Sequence, residues 1–181
     1  MPIHLTREQV LITLAVTTLI LLLVAQVWGW ALGLPLVPGW HLDLNALLSG
    51  CILGLGLNGL GAALYYLWLP FRTVTDEYLA LVLEPLQPWD IFWIGLLPGL
   101  SEELLFRGVA LTSLGLVGSS LLFGVLHLLD RRYWPYGLWA AVIGLILGFT
   151  MVSTGNLLIP VVAHTTNNWL AAGFWYGRKR R

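Results

Sequence analysis

Residues Val10 to Gly33 read VLITLAVTTLILLLVAQVWGWALG and contain no charged side chain. As a helix this run is about 36 Å long, enough to cross a ~30 Å hydrocarbon core. A signal-peptide apolar region is shorter, and no small-residue cleavage site follows, so the run is expected to be a retained span. The rest of the chain has the same character. Of 181 residues, 58% are hydrophobic and only 10% charged, where a soluble domain carries roughly 25% charged residues. The sequence is therefore that of an integral, multi-pass membrane protein.

Working outward from the first run, six spans are expected, at 10–32, 44–69, 90–112, 117–130, 135–154 and 157–176. They are continuously apolar rather than alternating, and only helices and closed barrels satisfy their backbone in lipid. The expected fold is all-α: a polytopic transmembrane helical bundle of about six spans, with residues 1–181 as a single membrane domain. Trp28, Trp30, Trp40, Trp68, Trp89, Trp93, Trp134 and Trp175 fall at span ends, as in an interfacial belt. Glycine pairs four apart, Gly50/Gly54, Gly95/Gly99 and Gly144/Gly148, suit close helix approach. In the connection from Pro70 to Trp89, Thr75 is placed to cap a short surface helix with Asp76 and Glu77 in its first turn. Pro85 follows that helix.

With six spans, Arg7, Arg72, Arg131, Arg132 and the tail Arg178-Lys179-Arg180-Arg181 share one side, and the other side's loops carry no Lys or Arg. The positive-inside rule then puts both termini in the cytoplasm. His4 and His41 fall at membrane edges. Net charge is zero, so nothing favours nucleic acid as a partner. The single cysteine, Cys51, lies in an apolar stretch, reads as a packing residue, and has no intrachain partner for a disulfide.

Against this background SEELLFRG, residues 101–108, is anomalous. Glu102, Glu103 and Arg107 are the only ionisable groups between Asp90 and His127. Each is expensive in a bilayer. Glu103 and Arg107 stand four apart in the order that favours a helical ion pair. Glu102 points about 100° away and needs a partner on another helix, or a proton. His127, and His164 with Asn168 one turn on, offer such partners; Asn167 is a second amide at that level. Ser101 and Ser153 have no base in their sequence context and read as structural.

A carboxylate, two imidazoles and an amide suit hydrolysis. The carboxylate can take a proton from water, and imidazole or amide N–H groups can stabilise an oxyanion. Glu102, His127 and His164 could instead hold a divalent metal such as zinc. A non-catalytic reading uses the same groups as interhelical glue, in an immunity, scaffold or proton-relay protein. Convergence on one water-sized space separates the two, since glue needs only pairwise contacts.

Three motifs occur in order on adjacent spans: E-E-x-x-x-R as Glu102-Glu103…Arg107, F-x-x-x-H as Phe123…His127, and H-x-x-x-N as His164…Asn168, the last preceded by TGNLLIP. Together they resemble the CPBP family of membrane proteases, which includes type II CAAX prenyl endopeptidases and bacteriocin-processing or self-immunity (Abi-like) proteins. The resemblance covers about residues 90–176. It implies an intramembrane endopeptidase acting on membrane-associated or prenylated CAAX-type peptides, with the bilayer and a peptide or protein substrate as partners. It further implies that Glu102 with His127 activates water, that His164 with Asn168 forms the oxyanion site, and that Glu103 and Arg107 hold the site in shape. The family has been described both as metal-dependent and as glutamate proteases; the metal-free form is expected here. The G-x-S-G, H-E-x-x-H and G-x-G-D patterns of other intramembrane proteases are absent.

Overall fold

The computed structural model describes residues 5–35 and 39–179; His4, Arg180 and Arg181 lie outside them. Among the described residues seven α-helices follow one another: α1 (Arg7–Ala31), α2 (Leu44–Leu67), α3 (Leu69–Leu83), α4 (Ile91–Leu105), α5 (Leu111–Leu126), α6 (Trp134–Thr154) and α7 (Leu158–Lys179). A π-helical turn, Phe106–Ala110, joins α4 to α5. There is no strand among the described residues.

Among the described residues four segments are long and apolar enough to cross a membrane: Arg7–Ala31, Leu44–Leu67, Pro88–Leu126 and Arg131–Thr154. The third is 39 residues long and takes in the third expected span and most of the fourth. It is not one rod. A straight helix would put residues 102 and 127 about 37 Å apart, yet their side chains approach to 3.8 Å. The chain reverses at Gly115, whose φ of 69° and ψ of 176° break the helix, a conformation that glycine adopts without strain. The expected gap between residues 112 and 117 is this turn. The returning arm ends at Leu126 rather than 130, with His127 as its C-cap. An arm of 11 residues, 116–126, reaches only about 16 Å, so His127 stands at mid-bundle although charged residues follow closely. The last helix, α7, has 22 residues but carries a polar stripe, which lowers its mean hydropathy.

Four expectations need correction. The helix α3 starts at Leu69, six residues before Thr75, with Pro70 in its first turn, where a missing N–H costs nothing. Thr75 is inside the helix and caps nothing. Nor does α3 lie loose on a surface: Phe71, Val74 and Leu83 are buried, and Phe71 stacks with Trp68 and Tyr136. Trp175 is buried rather than interfacial, and Cys51 is exposed rather than packed. Trp30, Trp89, Trp93 and Trp134 are exposed, as a belt requires.

The glycine pairs fix α7. A Cβ on Gly50 or Gly54 of α2 would meet Val162, the Ala163 carbonyl and Thr166, and one on Gly95 or Gly99 of α4 would meet Trp169 and Thr165. So α7 is clasped between α2 and α4. Gly144 and Gly148 bring α6 onto Ser120 and Leu116 of α5 in the same way.

Polar contacts define the two ends. At one, Arg7 makes a bidentate pair with Asp90 at 2.8 Å, Lys179 meets Glu84 at 2.6 Å, Arg178 meets Asp76 at 3.3 Å, and the Tyr133 hydroxyl donates to Glu77 at 3.2 Å. This is the basic end. At the other, the Leu157 N–H donates to the Gly39 carbonyl at 2.7 Å, and the Asn156 side chain brackets the backbone of His41. His41 takes no part in the central cluster described next.

Candidate active site

Adjacent positions on α4 diverge by about 100°, and this separates the two glutamates. Glu103 turns into the bundle and is 0% exposed; Glu102 turns toward a cavity and keeps 17% of its side-chain surface. One Glu103 oxygen, Oε1, accepts from Arg107 at 2.8 Å and from His164 Nδ1 at 2.7 Å. The Arg107 guanidinium, 2% exposed, also donates to the Gly144 carbonyl at 3.3 Å and lies 4.7 Å over the Phe123 ring. The expected Glu103–Arg107 pair is present. Its second bond, to His164 on α7, had no signal in sequence, because nothing local marks a contact 61 residues away.

Phe123 explains the spacing of its own motif. Its carbonyl accepts from His127 Nδ1 at 2.8 Å, one turn on. Its ring packs edge-on to Phe106 and His164 and against the His127 ring, with centroids 4.8, 6.0 and 4.4 Å apart. Because Nδ1 of each histidine carries its hydrogen toward an acceptor, Nε2 of each is free to face the cavity. Both do. Glu102 Oε2 lies 3.8 Å from His127 Nε2 and 3.9 Å from His164 Nε2, and it has no hydrogen-bond partner. Three helices thus converge on one oxygen. Asn168 lines the same cavity, but its side chain meets Asn167 at 3.5 Å, not His164. Ser101 donates to the Leu97 carbonyl at 2.8 Å, and Ser153 is exposed on α6.

These separations admit a bridging water and, with small side-chain shifts, a metal ion. Zinc bonds of about 2.0–2.2 Å set tetrahedral ligand atoms about 3.3–3.6 Å apart, a few tenths of an ångström closer than the 3.8 and 3.9 Å observed. A water about 2.8 Å from each atom spans them.

The cavity measures about 460 Å³ and runs from Glu102 to the basic end. Its walls include residues that sequence reading left aside, Tyr78 of α3 and Tyr136 of α6, stacked at 4.4 Å. Burial, and secondarily the charge of Glu102, pushes the Tyr78 phenol up to about 12.

With this geometry in view, comparison with known proteins is informative. Residues 84–170 match the family model described as Type II CAAX prenyl endopeptidase Rce1-like. Over these residues the chain is similar to the Rce1-like family. The match overlaps the expected 90–176 and contains Glu102, Glu103, Arg107, His127, His164 and Asn168. YpbD of Bacillus subtilis (strain 168), described as an uncharacterized protein, is 39% identical over 74 residues. That alignment takes in 41% of this chain and 39% of YpbD, so the chain spans about two fifths of the curated relative it matches. No solved structure matches. The Rce1-like segment supplies the polar cluster, whereas α1, α2 and α3 up to Leu83 lie outside it. Much of the cavity wall therefore comes from the helices before the segment.

Proposed function

We propose that the chain is an intramembrane endopeptidase that hydrolyses peptide bonds of membrane-associated or prenylated CAAX-type peptides. The observation that carries this reading is the convergence of two imidazole Nε2 atoms on Glu102 Oε2, at 3.8 and 3.9 Å, inside a mostly apolar cavity.

A water held there gives one hydrogen to Glu102 and the other to His127 Nε2, which the Phe123 carbonyl keeps as an acceptor. Glu102 removes a proton as the water oxygen bonds to the substrate carbonyl carbon. The carbonyl oxygen becomes an oxyanion. In its protonated form His164 donates Nδ1–H to Glu103 and Nε2–H to that oxyanion, and the Asn168 amide is placed one turn away to donate as well. Glu102 then returns its proton to the amide nitrogen as the C–N bond breaks. Glu103 and Arg107 act by holding His164. No metal takes part in these steps.

The basic residues gathered at one end support placing that end, with both termini, at the cytoplasmic face.

The test is incubation of the purified protein in lipid vesicles with an internally quenched, S-farnesylated CAAX peptide, with the cut located by mass spectrometry. Cleavage that persists in a chelator is expected. No cut, or a cut abolished by the chelator and restored by zinc, overturns the reading or its metal-free form respectively.

A further inference from the structure

Between the Glu102 centre and the basic end, the cavity holds amides that the catalytic steps do not use. Asn58 of α2 and Asn167 of α7 both line it. Each side-chain amide carries two donors and a carbonyl acceptor, and little of that capacity is spent. Asn58 Nδ2 donates to the Asn167 backbone carbonyl at 3.4 Å, and Asn167 Nδ2 reaches Asn168 Oδ1 at 3.5 Å. These are the only hydrogen bonds of the two side chains among the described residues, and both are long. Further along, Thr75 of α3 lines the same cavity and its buried hydroxyl has no partner.

Packing does not account for these residues. The cavity walls are mostly apolar, and an amide there gains nothing from packing that an apolar side chain would not supply. Their placement is ordered. Asn167 is less than one turn from His164, and Arg178 at the cavity mouth is about 21 Å from His164 along α7. Asn58 stands beside Asn167 on α2, and Tyr65, about 10 Å further along that helix, meets Asp76 next to Thr75. Unspent amide donors and acceptors, followed about 10 Å on by a hydroxyl, match an extended backbone, whose N–H and C=O groups repeat every ~3.3 Å.

We propose that Asn58 and Asn167 form a peptide-backbone subsite beside Glu102, which holds two to three extended residues of the substrate on the basic-end side of the scissile bond. This deepens the protease reading and rests on it. It also assigns a direction: the substrate chain lies between the catalytic centre and the end bearing Arg7, Arg132, Arg178 and Lys179, and reaches Glu102 from there.

The experiment uses the full chain in vesicles and the quenched farnesylated CAAX peptide, with backbone amides flanking the scissile bond replaced one at a time by esters. An ester removes one N–H donor and weakens the carbonyl acceptor. In the wild type, esters on one side of the cut are expected to raise KM about tenfold with kcat changed less than twofold. In Asn167→Leu and in Asn58→Ser, each ester peptide is expected to differ less than twofold in KM from the all-amide peptide. Equal ester penalties in wild type and both variants overturn the subsite and indicate that water alone solvates these amides. A second measurement needs no turnover. Binding of the same peptides to the Glu102→Gln protein, by fluorescence anisotropy, is expected to weaken about tenfold when Asn167→Leu is added. Unchanged binding contradicts the subsite, whereas absence of cleavage by the wild type contradicts only the protease reading.

Discussion

Glu103 and His164 stand 61 positions apart in sequence and share the shortest polar contact of the buried cluster, 2.7 Å from Oε1 to Nδ1. The same oxygen takes the Arg107 guanidinium at 2.8 Å. One carboxylate therefore neutralises a cation on its own helix and orients an imidazole on another. Removing one partner strands the other charge where water does not reach. Glu103→Leu and Arg107→Leu are each expected to destabilise the protein by about 3–5 kcal/mol, and the double variant by less than the sum. Thermal unfolding in detergent measures this. Single variants that melt with the wild type contradict a structural pair.

Clasping of α7 by glycine gives a second expectation. A side chain at Gly99 runs into Thr165, backbone included, one residue from His164. Gly99→Val is expected to cost about 1–3 kcal/mol through overpacking and to lower cleavage with it. Gly56→Ala, where a Cβ meets open space, should leave melting within about 0.5 kcal/mol of wild type. If both variants melt alike, close α4–α7 approach is not what seats His164.

The Tyr78 phenol, pushed up to about 12 by burial and the Glu102 charge, fixes an alkaline limb. An unfolded tyrosine loses its proton near pH 10, so the stability due to the buried neutral phenol is complete below that pH. It falls as pH rises from about 10 toward about 12. Tyr78→Phe should flatten this limb in pH-dependent unfolding and leave the pH–rate profile between about 5 and 9 unchanged. An identical alkaline limb in the variant rules out Tyr78 as its source.

How much of this is legible in the sequence follows from the range of each interaction. Glu103–Arg107, Phe123–His127 and His164–Asn168 are all one helical turn apart, so their spacing marks them. The reversal at Gly115 is legible because apolar spans must end somewhere, and the gap falls there. Contacts across helices are not. Nothing local tells that Glu103 reaches His164, or that Tyr78 and Tyr136 line a cavity rather than an interface. The start of α3 is misplaced from sequence because Thr75-Asp76-Glu77 imitates a helix N-terminus, while Pro70 also fits a first turn and the packing of Phe71 decides between them. Trp175 misleads for a related reason: a tryptophan near a helix end resembles an interfacial anchor until the neighbouring helix is known to cover it.

Topology is open to direct measurement. Contacts at the basic end join Arg7 to Asp90 and Lys179 to Glu84, so both ends of the described chain share one face. Reporter fusions at the two termini should both register as cytoplasmic. Reporters on opposite faces contradict an even number of crossings.

The central claim is that Glu102, with both histidines within 3.9 Å of its Oε2, is the group that takes the proton from water. The most direct measurement compares cleavage of the quenched farnesylated peptide by wild type and by Glu102→Gln, at matched melting temperature. Gln keeps the shape and cannot act as the base, so a loss of at least about 10³-fold in kcat is expected. Cleavage by Glu102→Gln within about tenfold of wild type contradicts the account.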